Sequence, residues 1–247
     1  LNTKNITFHK EIDTVIQNSD LIIIAIPSGF IFSVFKSKGK LLDNKNVLSA
    51  VKGVIPENNS TPHDFFKSIS SKLNYGVISG PCHAEEVALE KQSYLTVSTT
   101  NTEIHTQIRK FFKTKFINLK MSNDIIGTEY AAILKNIYAI LVGVAYGLGY
   151  GDNFIAVLTT SCANEMKRLL QSLDPKERTI FQPAFLGDLL VTCYSSHSRN
   201  RSLGVLIGKG YSVVNAIEKM TMFAEGFHAA KSIYARVQKL NIKYPIK

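Results

Sequence analysis

Five short runs rich in β-branched and aromatic residues alternate with helix-period stripes over the first half of this chain, and that alternation narrows the fold more than any other feature. The runs are Leu21 to Ile26, Asn46 to Val51, Tyr75 to Ser79, Tyr94 to Ser98 and Phe116 to Leu119. Between them, Ile12, Val15 and Ile16, then Phe30, Ile31, Val34 and Phe35, recur at helical spacing, and 62–72, 81–90 and 102–113 read as further helices, with Pro81 at a first helical position. Strands separated by helices imply a parallel, doubly wound sheet. The continuous run Leu-Ile-Ile-Ile-Ala-Ile reads as a central strand covered on both faces. Ligands of such sheets bind beyond the carboxyl ends of the strands. The informative loops are therefore Pro27-Ser28, Lys52-Gly53 and Ser79-Gly80-Pro81.

The pattern changes near Ser122. From Asn123, a candidate helix cap, the chain reads as helices and loops: 125–144, 153–173 and 212–240. The expected architecture is α/β: a doubly wound sheet over 1–121, followed by an all-α helical domain over 122–247. Ala131 to Tyr150 is apolar enough to suggest a membrane span, but Lys135 and Asn136 near its start are costly in lipid, so a buried helix is expected and no transmembrane segment.

The net charge is +10. The basic residues are scattered and not interleaved with aromatics, which argues against nucleic acid, and most of the lysines read as solvated surface. Cys82, Cys162 and Cys193 are too few and too dispersed for a disulfide framework or a zinc site, which suits a reducing, cytoplasmic setting, and no metal is expected.

Four places could carry chemistry. Lys135 lies among Ala131, Ala132, Ala139 and Val142 at spacings of three, four and seven, so small apolar side chains surround an amine that is expensive to bury. A Lys so placed can act as a base once burial or a second cation lowers its pKa. Asp188 is an isolated acid in Phe-Leu-Gly-Asp-Leu-Leu-Val: either a loop or capping aspartate, or the partner of Lys135. Ser198-Arg199-Asn200 offers a hydroxyl, a guanidinium and an amide to a phosphate, although an exposed polar turn reads the same way. Lys52-Gly53 follows a strand where an anionic ligand would sit. Three further motifs carry less. Gly147-Leu148-Gly149-Tyr150-Gly151 follows a helix, not a strand, and has the wrong spacing for a dinucleotide loop. Cys82-His83 as nucleophile and base, and His83 with Glu85 and Glu86 as metal ligands, find no other support.

Taken together and in order, Ala25-Ile26-Pro27-Ser28, Ala50-Val51-Lys52-Gly53, Val77 to Glu86, Leu134-Lys135-Asn136, the run Gly187 to Arg201 and Glu225-Gly226 resemble the bacterial-type NAD(P)-dependent glycerol-3-phosphate dehydrogenases. The resemblance implies interconversion of sn-glycerol 3-phosphate and dihydroxyacetone phosphate, with NAD or NADP as cofactor, and supply of glycerol 3-phosphate for phospholipid synthesis. It implies Lys135 as the catalytic base. Lys52, Gly80, Cys82, Lys135, Asp188, Ser198, Arg199 and Asn200 fall at the substrate, and Lys52, Ala84, Arg199, Phe223 and Glu225 at the cofactor. A homodimer is compatible with it. Cys82 and Phe223 depart from the residues some members carry. The family's N-terminal Gly-rich strand–turn–helix and C-terminal helical tail have no counterpart in this sequence, so the resemblance implies an incomplete Rossmann-type doubly wound sheet over 1–121 followed by the all-α helical domain. Two alternatives stay open: a related 3-hydroxyacid or 6-phosphogluconate-type dehydrogenase, against which Ser198 to Arg201 argues, and an inactive phosphate-ligand-binding fragment.

Overall fold

The computed structural model describes residues 4–220 and 223–239. Its first part runs α1 (Ile12–Gln17), β1 (Leu21–Ile24), α2 (Ser28–Phe35), α3 (Gly39–Leu42), β2 (Asn46–Ser49), α4 (Pro62–Ile69), β3 (Asn74–Ser79), α5 (Ala84–Ala88), β4 (Ser93–Thr99), α6 (Thr102–Phe112) and β5 (Ile117–Ser122). The five strands form one sheet in sequence order. Period-two alternation divides its side chains. Ile22, Ile24, Val47, Tyr75 and Val77 pack with Ile16, Ile31, Phe35, Leu42, Phe65 and Phe66 on one face. Leu48, Ile78 and Val97 pack with Ile104 and Ile108 of α6 on the other.

Two expectations change. The sheet is mixed: β1–β2, β2–β3 and β4–β5 are parallel, but β3 and β4 are antiparallel, with Ser79 opposite Thr96. The cause is the connection. The helix expected over 81–90 forms only over Ala84–Ala88, with His83 at its cap and Pro81 outside it, so the chain turns back at the end of β3 instead of crossing the sheet. Among the described residues the run beginning at Leu21 lies at the edge of the sheet rather than at its centre: β1 pairs with β2 alone, and Ile23 is 41% exposed.

The second part is helical: α7 (Ile125–Gly147), α8 (Asp152–Leu173), a π-helical turn at Pro183–Gly187 running into α9 (Asp188–Tyr194), α10 (Arg199–Gly208), α11 (Val213–Glu218) and α12 (Glu225–Lys239). Asp124, not Asn123, caps α7: its carboxylate accepts from Gly127 N–H at 3.1 Å and from Arg178 Nε at 2.7 Å. The segment read as one helix over 212–240 is two, α11 and α12; Leu240 lies outside the described residues. α7 is apolar over most of its surface because most of it is enclosed, with Leu141 and Tyr146 exposed near its end. It is the one described helix long and apolar enough to cross a membrane, and most of it is buried within the fold.

Glycine explains how closely α10 approaches α7. Gly143 and Gly147 face Gly204 and Gly208, so the backbones touch; a Cβ on Gly204 would overlap the Ile140 carbonyl and one on Gly143 the Arg201 carbonyl. The Gly147 to Gly151 motif thus ends α7 and supplies half of a helix crossing. The crossing carries Arg199 and Asn200 to the site. Gly204→Ala should force the helices apart at a cost of about 1–3 kcal/mol, read as a fall of several degrees in thermal midpoint. An unchanged midpoint would mean that the helices do not meet there.

Candidate active site

Lys135 lies midway along the enclosed helix α7. Ala131, Ala132, Ala139 and Val142 are all buried around it, and Lys135 itself is 5% exposed. Its charge is met from α9. The π-helical turn delivers Asp188 as the first residue of that helix, 1% exposed, with Oδ1 2.5 Å from Lys135 Nζ. One turn further on, Thr192 Oγ1 accepts from Lys135 Nζ at 3.1 Å and donates to the Asp188 carbonyl at 2.5 Å. Asp188 is therefore a charge partner and not merely a capping residue.

The sheet contributes from the carboxyl ends of its strands. Ser79 Oγ, the last residue of β3, donates to Asp188 Oδ2 at 3.2 Å. Lys52, in the loop after β2, places Nζ 3.5 Å from the same oxygen, with 28% of its side chain exposed. Asn136, next to Lys135 on α7, donates to the Lys52 carbonyl at 3.0 Å and fixes that loop against the helix. One carboxylate thus lies between two ammonium groups. Gly80 follows Ser79 at φ +139°, a conformation that side chains rarely adopt, and a Cβ there would overlap the Tyr94 carbonyl. The turn that carries Cys82 and His83 back over the site needs glycine at its start.

The charges set the protonation states. Burial lowers the Lys135 pKa to about 8; Asp188 pulls it back up and Lys52 adds to the lowering. Burial alone would raise the Asp188 carboxyl, but Lys135 and Lys52 outweigh it and the net direction is down. The Cys82 thiol is pushed up, by burial first, so the residue stays a thiol and offers no nucleophile. A buried amine that exchanges its proton near pH 8, held by an ionised carboxylate, can take a proton from a hydroxyl or return one to a carbonyl.

The run Ser198-Arg199-Asn200 divides into three tasks. Ser198 caps α10, its Oγ accepting from Arg201 N–H at 3.2 Å. Asn200 Oδ1 accepts from Gly226 N–H at 3.0 Å and ties α10 to α12. Arg199 is exposed, and its charge acts on Glu225 and Glu85. Glu225 opens α12 and reaches the sheet: Oε1 accepts from Ser28 N–H, after β1, at 3.2 Å. Burial raises its carboxyl, with Ser28, Arg199, Lys52 and Lys135 opposing. Phe223 is half-exposed with its ring stacked on His228, centroids 4.8 Å apart. Ala84 is exposed at the start of α5.

The structure brings Lys52, Lys135, Asp188 and the Ser79-Gly80 turn into one site, with Arg199 and Glu225 in electrostatic contact with it. Ala84 and Phe223 lie open to solvent. Thr192 was not singled out in the sequence. Its signal is position alone, one helical turn beyond Asp188.

Two family models cover this chain: the N-terminus of NAD-dependent glycerol-3-phosphate dehydrogenase matches residues 2–105 and the C-terminus matches residues 124–247. A glycerol-3-phosphate dehydrogenase [NAD(P)+] from Clostridium botulinum is 36% identical over 245 residues, 98% of this chain and 73% of that protein. One from Staphylococcus carnosus is 35% identical over 250 residues, 98% of this chain and 74% of that one. The crystal structure of glycerol-3-phosphate dehydrogenase from Coxiella burnetii superposes with a TM-score of 0.89 at 28% identity, covering 95% of this chain and 72% of that chain.

Proposed function

This chain belongs to the NAD-dependent glycerol-3-phosphate dehydrogenase family, and from that premise we propose that its Lys135–Asp188 pair is the proton-transfer centre of an oxidoreductase interconverting sn-glycerol 3-phosphate and dihydroxyacetone phosphate. NAD or NADP, when bound, supplies the hydride acceptor or donor. In oxidation the neutral Lys135 amine takes the proton of the C2 hydroxyl. In reduction the ammonium polarises the ketone and returns the proton. Asp188 holds the amine in place, with Thr192 and Ser79 fixing both. Lys52 keeps a second positive charge beside Lys135, which favours the neutral amine.

Lys52, Gly80, Cys82, Lys135, Asp188, Ser198, Arg199 and Asn200 receive the substrate, with Asp188, Ser198, Arg199 and Asn200 around the glycerol phosphate. Lys52, Ala84, Arg199, Phe223 and Glu225 hold the dinucleotide. The working division is a dinucleotide-binding unit over 1–121 and a substrate unit over 122–247, and the product serves phospholipid synthesis. Three unpaired thiols favour a reducing, cytoplasmic setting.

The observation that carries the reading is the buried amine 2.5 Å from a buried carboxylate, reached by a second lysine from the sheet. The test is a substrate panel followed by nicotinamide absorbance with NAD and with NADP. Glycerol 3-phosphate should be oxidised and glycerol and 6-phosphogluconate should not. Oxidation of 6-phosphogluconate in preference would replace this reading by the other dehydrogenase class. No turnover of any of the three would leave the ligand-binding fragment.

A further inference from the structure

Two histidines that the proton-transfer scheme leaves unused face each other across the mouth of the site. His83 is in the turn after β3, three residues beyond Gly80 and beside Cys82. His197 is in the turn between α9 and α10, directly before Ser198-Arg199, with its backbone N–H held by Ser195 Oγ at 3.1 Å. One comes from the sheet and the other from the helices, yet their rings lie 6.0 Å apart between centroids at 55°. Each is attached to one of two loops assigned above to the substrate, His197 to the one that also carries Ser198, Arg199 and Asn200.

The surroundings favour an anion. His83 Nε2 is buried and has no hydrogen-bond partner among the described residues. An unmet buried nitrogen of this kind is costly to leave unpaired, so a ligand that meets it gains by doing so. Lys135, Asp188, Glu85 and Lys52 act on His83 electrostatically. Glu85, fully exposed, is itself acted on by His197, His83 and Arg199. Glu85 is thus the shared electrostatic neighbour of two imidazoles and a guanidinium on the outer side, while Asp188 is engaged by two lysines inside. A metal reading fails on donor count: among the described residues no three His, Cys, Asp or Glu side chains gather.

We propose that His83 and His197, adjoining imidazoles from two different loops, complete recognition of the substrate's phosphate end, donating ring N–H groups to its oxygens alongside Arg199. The assignment rests on the functional reading above, because it takes the phosphate to sit between these loops. It explains why the two loops meet through imidazoles. An imidazolium donates from both nitrogens and a dianion accepts several such bonds, each stronger for the charge. It also gives binding a pH dependence. In the free protein burial, and then Lys135, disfavours protonated His83; a dianion bound beside it favours it. Substrate affinity should thus tighten as pH falls through the histidine range, beyond what the phosphate's own titration allows.

The test combines kinetics with proton NMR on the full chain. His83→Gln and His197→Gln assign the two imidazole C2–H resonances. Their titrations are then followed with sn-glycerol 3-phosphate, inorganic phosphate or glycerol. The expected result is an upward move of both apparent pKa values with the two phosphates and none with glycerol. In each Gln variant KM for glycerol 3-phosphate should rise roughly tenfold, a larger factor than any fall in kcat, and the pH dependence of KM should flatten. If the wild-type chain turns over glycerol 3-phosphate while both resonances ignore it and neither variant changes KM, the proposal is wrong and the functional reading stands. If the wild-type chain neither binds nor oxidises glycerol 3-phosphate, the functional reading fails and takes this proposal with it.

Discussion

Lys135→Met should lower turnover by about 10²–10⁴-fold, the range spanned by a single well-placed acid–base group, while dinucleotide affinity changes by less than about twofold. Methionine is close to lysine in length and is compatible with the apolar wall formed by Ala131, Ala132, Ala139 and Val142. The change removes the proton carrier without opening a cavity. Asp188 keeps Lys52 at 3.5 Å and the Ser79 hydroxyl at 3.2 Å, so its charge is not stranded. The wild-type pH profile is part of the same prediction. Oxidation needs the neutral amine, so oxidative kcat should rise as pH passes about 8; reduction needs the ammonium and should decline over the same range. In the variant the residual rate should lose this inflection. Steady-state kinetics in both directions, with fluorescence titration of NADH, decides the matter. Near-normal turnover would remove Lys135 from the reaction.

How far the sequence anticipates this site depends on which interactions are local. Lys135 and Asp188 stand out because a charge in an apolar segment must be explained by something beyond its neighbours, and each turns out to be the other's partner across 53 residues of chain. Thr192 gives no such signal: a threonine in Leu-Val-Thr-Cys reads as an ordinary helical residue, and only the helix that brings it over Lys135 makes it a ligand of the amine. Ser198, Arg199 and Asn200 read correctly as a polar group. Yet nothing local says that Ser198 is committed to Arg201 N–H, Asn200 to Gly226 N–H, and that Arg199 alone reaches outward.

The fold shows the same division. β-branched runs mark where strands form, because steric preference acts within a few residues. Strand direction does not follow from composition: β4 runs against β3 because α5 is too short to carry the chain across the sheet. The glycines of α7 and α10 are similar. Gly143 and Gly147 look like helix breakers until Gly204 and Gly208 are found opposite them.

Asp188→Ala should be the most damaging single change to stability in the site. It leaves two ammonium groups without their shared carboxylate, and removing one member of a buried pair costs about 3–5 kcal/mol. Lys52, partly exposed, can turn toward water; Lys135 cannot, and will shed its proton instead. The sign with pH follows from the lowered Asp188 carboxyl. Its contribution to wild-type stability is complete above the unfolded carboxyl pKa of about 3.9 and disappears as pH falls through its lower folded value, so the two urea-unfolding curves should converge in acid and separate near neutrality. Asp188→Asn separates chemistry from folding. It keeps the shape, and one oxygen can still accept from Lys135, but the charge that raised the Lys135 pKa toward 8 is gone. The midpoint of the oxidative pH profile should therefore move down in this variant, with reduction at neutral pH losing more than oxidation in base. A midpoint that stays where the wild type has it would show that Asp188 does not set the protonation of Lys135, and the pair would then be a structural feature that happens to adjoin the site.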